Sequence, residues 1–197
     1  MSCGAFIVLE GIDGSGKSEQ ARRLVAWLRE RGRIAVETCE PTQGAWGRRV
    51  REWLGGGLEA SEREVLEMFV NDRAEHVEQL ILPALARGEI VVGDRYQAST
   101  RAYQVAQGVD RALVSRLLDT RGFRDPDLTL WLRVPVEVAM LRMGSSATER
   151  FEKSEFLTRV DAEYARLALV SVDGGGSADA VQAELRRHVG VLIGEPA

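Results

Sequence analysis

Short apolar runs alternate along the chain with stretches in which apolar residues recur every three or four positions. Ala5-Phe6-Ile7-Val8-Leu9 is uninterrupted, the pattern of a strand buried on both faces. Ala21, Leu24, Val25 and Leu28 then fall at helical spacing. Ile34 to Thr38 predicts a second strand, and 46–54 a helix. The stretch from Glu62 to Ala86 predicts one long helix, with Val65, Leu66, Phe69, Val77, Leu80 and Ile81 on its apolar side. Pro83 is expected to bend or shorten it. Glu89 to Gly93 predicts a third strand delivering Asp94, and helices follow from about Ala98 and Asp110. Asp127 to Val134 holds a fourth strand, after which Pro135 suits a helix start. Residues 154–168 read as helix, 169–172 as a fifth strand and 178–192 as a last helix. Strands alternating with helices imply an α/β fold: a five-stranded parallel sheet with helices on both faces. Such sheets bind ligands beyond the carboxyl ends of their strands.

The first such end carries the most specific chemistry. Gly11-Ile12-Asp13-Gly14-Ser15-Gly16-Lys17-Ser18 reads G-x-x-x-x-G-K-[ST], set between a strand and a helix. Its glycines let backbone N–H groups turn inward around phosphate oxygens, and the following helix adds its positive end. Lys17 can reach the β and γ phosphates, and Ser18 can ligate Mg²⁺. The third strand delivers Asp94 and Arg95 to the same edge. An aspartate there suits Mg²⁺ or its waters, and a guanidinium suits a transferring phosphoryl group.

Two further groups stay open on the residues alone. Phe69 and Arg73 share a helix face, which suits either a nucleobase or a core aromatic beside a solvated charge. Arg142, Arg150 and Arg159 flank Gly144-Ser145-Ser146-Ala147-Thr148, which suits either a lid over phosphates or a solvated loop.

Composition narrows the setting. The 197 residues suit one domain, with 45% apolar and 28% charged residues as in an ordinary soluble protein. A net charge of −4 argues against sequence-blind nucleic-acid binding. Cys3 and Cys39 form neither a disulfide framework nor a metal spacing. No basic leader precedes the first apolar run, and no run approaches the roughly 18 apolar residues of a membrane span. A cytoplasmic protein without nucleic-acid or membrane partners is expected.

In order along nearly the whole chain, these pieces resemble the thymidylate kinase group of nucleoside-monophosphate kinases. The resemblance is carried by Phe6 through Ser18, Glu40-Pro41, Gly47 to Arg51, Phe69, Asp72-Arg73 and His76-Val77. It continues through Pro83-Ala84-Leu85, Asp94-Arg95-Tyr96, Ser99-Thr100, Ala102-Tyr103-Gln104, Pro126 to Thr129, Arg150-Phe151-Glu152 and Tyr164. It implies a single phosphate-loop domain over 1–197, with a lid at about 142–153, that phosphorylates dTMP to dTDP with ATP and Mg²⁺. Residues 11–19, Glu19 included, and Arg142 would bind ATP, with Arg142 against adenine. Ser18 and Asp94 would serve the metal. Asp13 would meet the acceptor sugar or its magnesium water, Phe69 would stack on thymine, and Arg73 would bond it. Arg95 would hold the acceptor phosphate, and Ser99, Thr100, Tyr103 and Gln104 would line the pocket. Lys17, Arg95, Arg150 and Asp13 would form the catalytic set. A homodimer is implied, with the apolar faces of 62–86 able to supply its contact.

The sequence departs from that pattern at three places. Cys39 stands where arginine is usual, leaving Arg51 or Arg48 to supply the missing grip on the acceptor phosphate. Glu19 stands where threonine is usual, and Val105 where glycine is. These bear on acceptor preference and efficiency, so a kinase for another nucleoside monophosphate, or a nucleotide-binding protein without transfer, are the alternatives.

Overall fold

Five strands, β1 (Ala5–Glu10), β2 (Ala35–Cys39), β3 (Ile90–Asp94), β4 (Leu128–Arg133) and β5 (Val170–Asp173), form one parallel sheet in the order β2-β3-β1-β4-β5. The computed structural model describes residues 4–144 and 147–195, with the backbone alone for 147–152. All six residues of β1 are buried at the centre of the sheet. Their alternation assigns them to two layers. Ala5, Ile7 and Leu9 join Val92, Leu130 and Leu132 under α1 (Lys17–Glu30) and α9 (Ala178–Ile193). Phe6, Val8 and Val91 face the opposite layer with Ile81 and Tyr96. In that layer α5 (Gln97–Ala106), α7 (Val136–Met143) and α8 (Ala147–Tyr164) pack around Trp131. Helices therefore cover both faces, as the alternation predicts.

The stretch expected as one helix is broken in a specific way. Glu62–His76 is α3, started by a Ser61–Glu64 capping box. Val77–Ile81 forms a π-helical turn, and Leu82–Ala86 continues as α4. Pro83 accounts for the change. It has no N–H, and its ring would press on the carbonyl one turn back. Widening the preceding turn moves the disruption upstream and places Pro83 in a first helical turn, where proline is tolerated. The apolar residues of α3 are consumed within the chain. Leu66 and Val70 pack on Val114 and Leu118 of α6 (Arg111–Arg121), and Val65 and Met68 pack on Val50 of α2 (Ala45–Leu54).

The expected helix at 154–168 begins earlier, at Ala147, and ends at Tyr164. The loop expected at 144–148 is thus shorter; Ser145 and Ser146 lie outside the described residues. No helix among the described residues is long and apolar enough to cross a membrane.

Leu24 is fully buried between the sheet and α9. Leu24→Ala should lower stability by about 2–5 kcal/mol. Urea titration should show a lower midpoint with an unchanged slope.

Candidate active site

Residues 11–16 connect β1 to α1 as a loop pressed against its neighbours. Gly14 has φ 79°, and a Cβ there would lie 2.4 Å from the Ala139 carbonyl oxygen of α7. Only glycine meets both demands. Gly16 caps α1 in the left-handed region without a side-chain hydrogen bond, so the first N–H groups of a 14-residue helix face the loop's concavity. Lys17 is 5% exposed and curls over the loop, donating to the Ile12 carbonyl at 2.8 Å and to Ser15 Oγ at 3.2 Å. Burial, and then the neighbouring Arg95 charge, bring its ammonium down to about 7. At the other side of the cradle, Ser18 Oγ donates to Asp94 Oδ2 at 2.5 Å. Asp94 Oδ1 has no partner among the described residues, although Asp94 is buried.

A cavity of about 560 Å³ opens over this loop, lined also by Glu19, Arg142, Gly174 and Gly176. Arg142 spans it, donating from Nη1 to the Ser15 carbonyl at 3.5 Å and from Nη2 to the Gly174 carbonyl at 3.1 Å. The Glu19 carboxylate lies 3.8 Å from Arg23, one turn on.

Arg95 follows β3 with φ 74°, the one non-glycine residue with positive φ among the described residues. That conformation costs about 1–3 kcal/mol and concentrates at functional sites. It turns the guanidinium back across the loop. Nη1 donates to Ser99 Oγ at 2.9 Å and the Gly11 carbonyl at 3.2 Å. Nη2 donates to Asp13 Oδ1 at 2.6 Å and the Tyr103 hydroxyl at 3.1 Å. Burial opposes ionisation of Asp13, but Arg95 and Lys17 outweigh it and hold the carboxyl below its usual range. Burial pushes Tyr103 up to about 12, so it stays a neutral hydroxyl.

Asp13 and Arg95 also line a second cavity, of about 130 Å³. Phe69, Arg73, Ser99, Thr100, Tyr103 and Gln104 surround it. Arg73 is 1% exposed, which removes the solvated-charge reading. Its Nη2 donates to Glu40 Oε2 at 2.5 Å and Thr100 Oγ1 at 3.0 Å. Its Nε and Nη1, and Gln104 Oε1, have no partners among the described residues. Phe69 is half-buried, packing on the α2–α3 cluster while forming a cavity wall.

Several residues do not converge as expected. Arg51 donates from Nη2 to the Pro41 carbonyl, beside Cys39 and outside the cavity lining. Arg48 is exposed and donates to the Gln43 carbonyl at 2.7 Å. Arg159 donates to the Ala106 carbonyl at 3.4 Å, linking α8 to α5, and does not line the cavity over the phosphate loop. Arg150 belongs to α8, and its side chain lies outside the described residues.

Other residues escaped the sequence reading. Glu10 is 0% exposed, and its carboxylate accepts from the Tyr96 and Ser99 backbone N–H groups at 2.9 and 3.1 Å. It also accepts from Ser99 Oγ at 2.6 Å and Tyr164 Oη at 2.9 Å. It thus serves as the cap of α5 that the Tyr96 side chain does not provide. A charged residue closing an apolar strand was the available signal. Trp53 and Leu54 also line the second cavity, with no chemical signal to mark them.

A triphosphate-sized cradle and a narrower cavity that share Asp13 and Arg95 define a phosphate-loop kinase acting between two nucleotides. A sequence model of thymidylate kinase matches residues 9–185. A thymidylate kinase of Desulfotalea psychrophila is 38% identical, with 96% of each chain covered. One of a Synechococcus species is 41% identical over 94% of this chain and 97% of its own. One of Xanthomonas campestris is 41% identical over 96% and 83%. The chain belongs to the thymidylate kinase family.

With its ammonium near 7, Lys17 is largely uncharged at pH 8, and a bound triphosphate favours the charged form. ATP binding should therefore take up protons at pH 8 and few at pH 6, where Lys17 is already charged. Binding enthalpies measured at pH 8 in buffers of different ionisation heat should differ for the native protein and coincide for Lys17→Met.

Proposed function

We propose that this chain transfers the γ-phosphoryl group of ATP to the 5′-phosphate of dTMP, releasing ADP and dTDP. The observation that carries this reading is a pair of buried, unpartnered groups on two residues that line the narrow cavity, the Arg73 guanidinium N–H donors and the Gln104 Oε1 acceptor. Thymine offers carbonyl acceptors beside an N3–H donor, the complement of that pair. Cytosine offers an amino donor beside an N3 acceptor, which would oppose both groups. Phe69 supplies an apolar wall for the ring, and Tyr103, Ser99 and Thr100 bound the sugar side.

The donor triphosphate lies along the loop N–H groups and Lys17, with adenine toward Arg142 and the Gly174–Gly176 turn. Ser18 and Asp94 fit a magnesium ion that arrives with the phosphates. A hydroxyl and a carboxylate with one unused oxygen meet there, and Mg²⁺ commonly takes one or two protein oxygens and completes its shell with phosphate and water. Such an ion, when bound, would neutralise negative charge on the phosphates. Arg95 exchanges its Asp13 contact for the acceptor phosphate, and Asp13 is then left for the sugar hydroxyl. The acceptor phosphate oxygen attacks the γ phosphorus directly, so no covalent intermediate with the protein forms. Positioning and charge stabilisation supply the rate. Arg150 and the segment 142–153 close over the transferring group from the α7–α8 side. Arg51, beside Cys39, would have to give up its Pro41 contact to reach the acceptor phosphate.

A homodimer acting in the cytoplasm completes the reading. Because α3 spends its apolar residues inside the chain, we place the contact at Leu82 of α4, which is 48% exposed. Sedimentation should give twice the chain mass of 21.7 kDa, and Leu82→Glu should return it to one.

Assays with ATP, Mg²⁺ and each nucleoside monophosphate test the activity. The specificity constant for dTMP should exceed that for dCMP by about 10²-fold or more. Preference for dCMP or dGMP would overturn the acceptor. Arg95→Ala should lower kcat about 10²–10³-fold. Near-native turnover in that variant would remove Arg95 from its role.

A further inference from the structure

Arg73 is useful to a base only while part of its guanidinium stays unclaimed. Its ion-pair partner, Glu40, is itself buried and could take more of it. A carboxylate facing a guanidinium favours two parallel hydrogen bonds, which occupy two donor groups. Here Glu40 uses only Oε2 on Arg73 Nη2. The other oxygen, Oε1, is 3.0 Å from His76 Nδ1. A carboxylate oxygen cannot donate, so Nδ1 carries the proton. His76 Nε2 is in turn 2.6 Å from Thr38 Oγ1, at the end of β2. The imidazole is buried and fixed at both nitrogens. It therefore holds Glu40 in a rotamer that engages Arg73 through one oxygen.

We infer that His76 is a positioning residue for the acceptor base: by anchoring Glu40 Oε1 against Thr38, it keeps Arg73 Nε and Nη1 unclaimed by Glu40 at the wall of the cavity. Remove the imidazole, and Glu40 Oε1 is left buried without a donor. The carboxylate then turns to pair both oxygens with Arg73, and a donor left unclaimed in the native protein is taken up. His76 does not line the cavity and touches neither nucleotide site, so its effect passes through Glu40 and Arg73 alone. The inference rests on the dTMP reading above.

Steady-state kinetics of His76→Ala and His76→Asn decide it. The asparagine amide can replace the Nδ1 donor; alanine cannot. His76→Ala should raise KM for dTMP about tenfold, as expected for loss of one hydrogen bond within a charged network. KM for ATP should stay within about twofold, since nothing in the donor cradle contacts the imidazole. The preference for dTMP over dCMP should fall alongside. His76→Asn should recover KM for dTMP to within about threefold of the native value. An unchanged KM for dTMP in His76→Ala overturns the inference. So does an equal rise in both KM values, or an asparagine variant no better than alanine. Should His76→Ala fail to fold, Thr38→Val decides in its place, since it releases the ring from its other side. A rise of about threefold in KM for dTMP alone supports the inference, and no change refutes it. A native protein that binds ATP but does not phosphorylate dTMP would instead strike the activity itself.

Discussion

β1 and β3 lie side by side with Leu9 opposite Asp94, so the phosphate loop and the Asp94–Arg95 pair leave the sheet from adjacent strand ends. The Arg95 backbone N–H donates to the Leu9 carbonyl at 3.0 Å, extending the ladder by one rung. The left-handed turn at Arg95 then sends its side chain across the loop to Asp13 rather than onward with the chain. That one crossing joins the two cavities. Without it, the two cavities would share Asp13 but no cation.

Two buried carboxylates build the surroundings of this crossing. Glu10 gathers the start of α5 and the end of α8, which fixes Ser99 where it can steady the Arg95 guanidinium. Glu40 gathers α3 through Arg73 and, by way of His76, ties it to β2. Glu10 ends β1 and Glu40 directly follows β2, where neighbouring helices can supply donors. A buried carboxylate is tolerated only when hydrogen-bonded, so each demands a defined arrangement of its neighbours. In this way the sheet edge dictates helix placement as well as the reverse.

The sheet and the phosphate loop were readable because their signals are local. A run such as Phe6-Ile7-Val8-Leu9 carries its own burial, and loop glycines carry their own backbone demands. Asp94 and Arg95 were readable because strand ends point at ligands in this architecture. Arg73 was ambiguous, since its burial depends on Glu40, 33 positions earlier in the chain. Arg159 stayed open for the same reason: what its guanidinium meets, Ala106 on another helix, has no trace in neighbouring sequence. Pro83 announced a disturbance, but whether the helix kinks, stops or widens is settled by what the two faces must bury. Ile81 and Ala84 had to reach the sheet layer, and the π-helical turn lets them.

Gly14 touches the main chain of α7 with no side chain between, and Arg142 from the same helix grips the loop at Ser15. α7 is thus mechanically continuous with the phosphate loop. Were α7 to pivot, Ala139 would drive into Gly14 or leave a void under it. Helix and loop are one lever, and whatever stiffens either end stiffens the other.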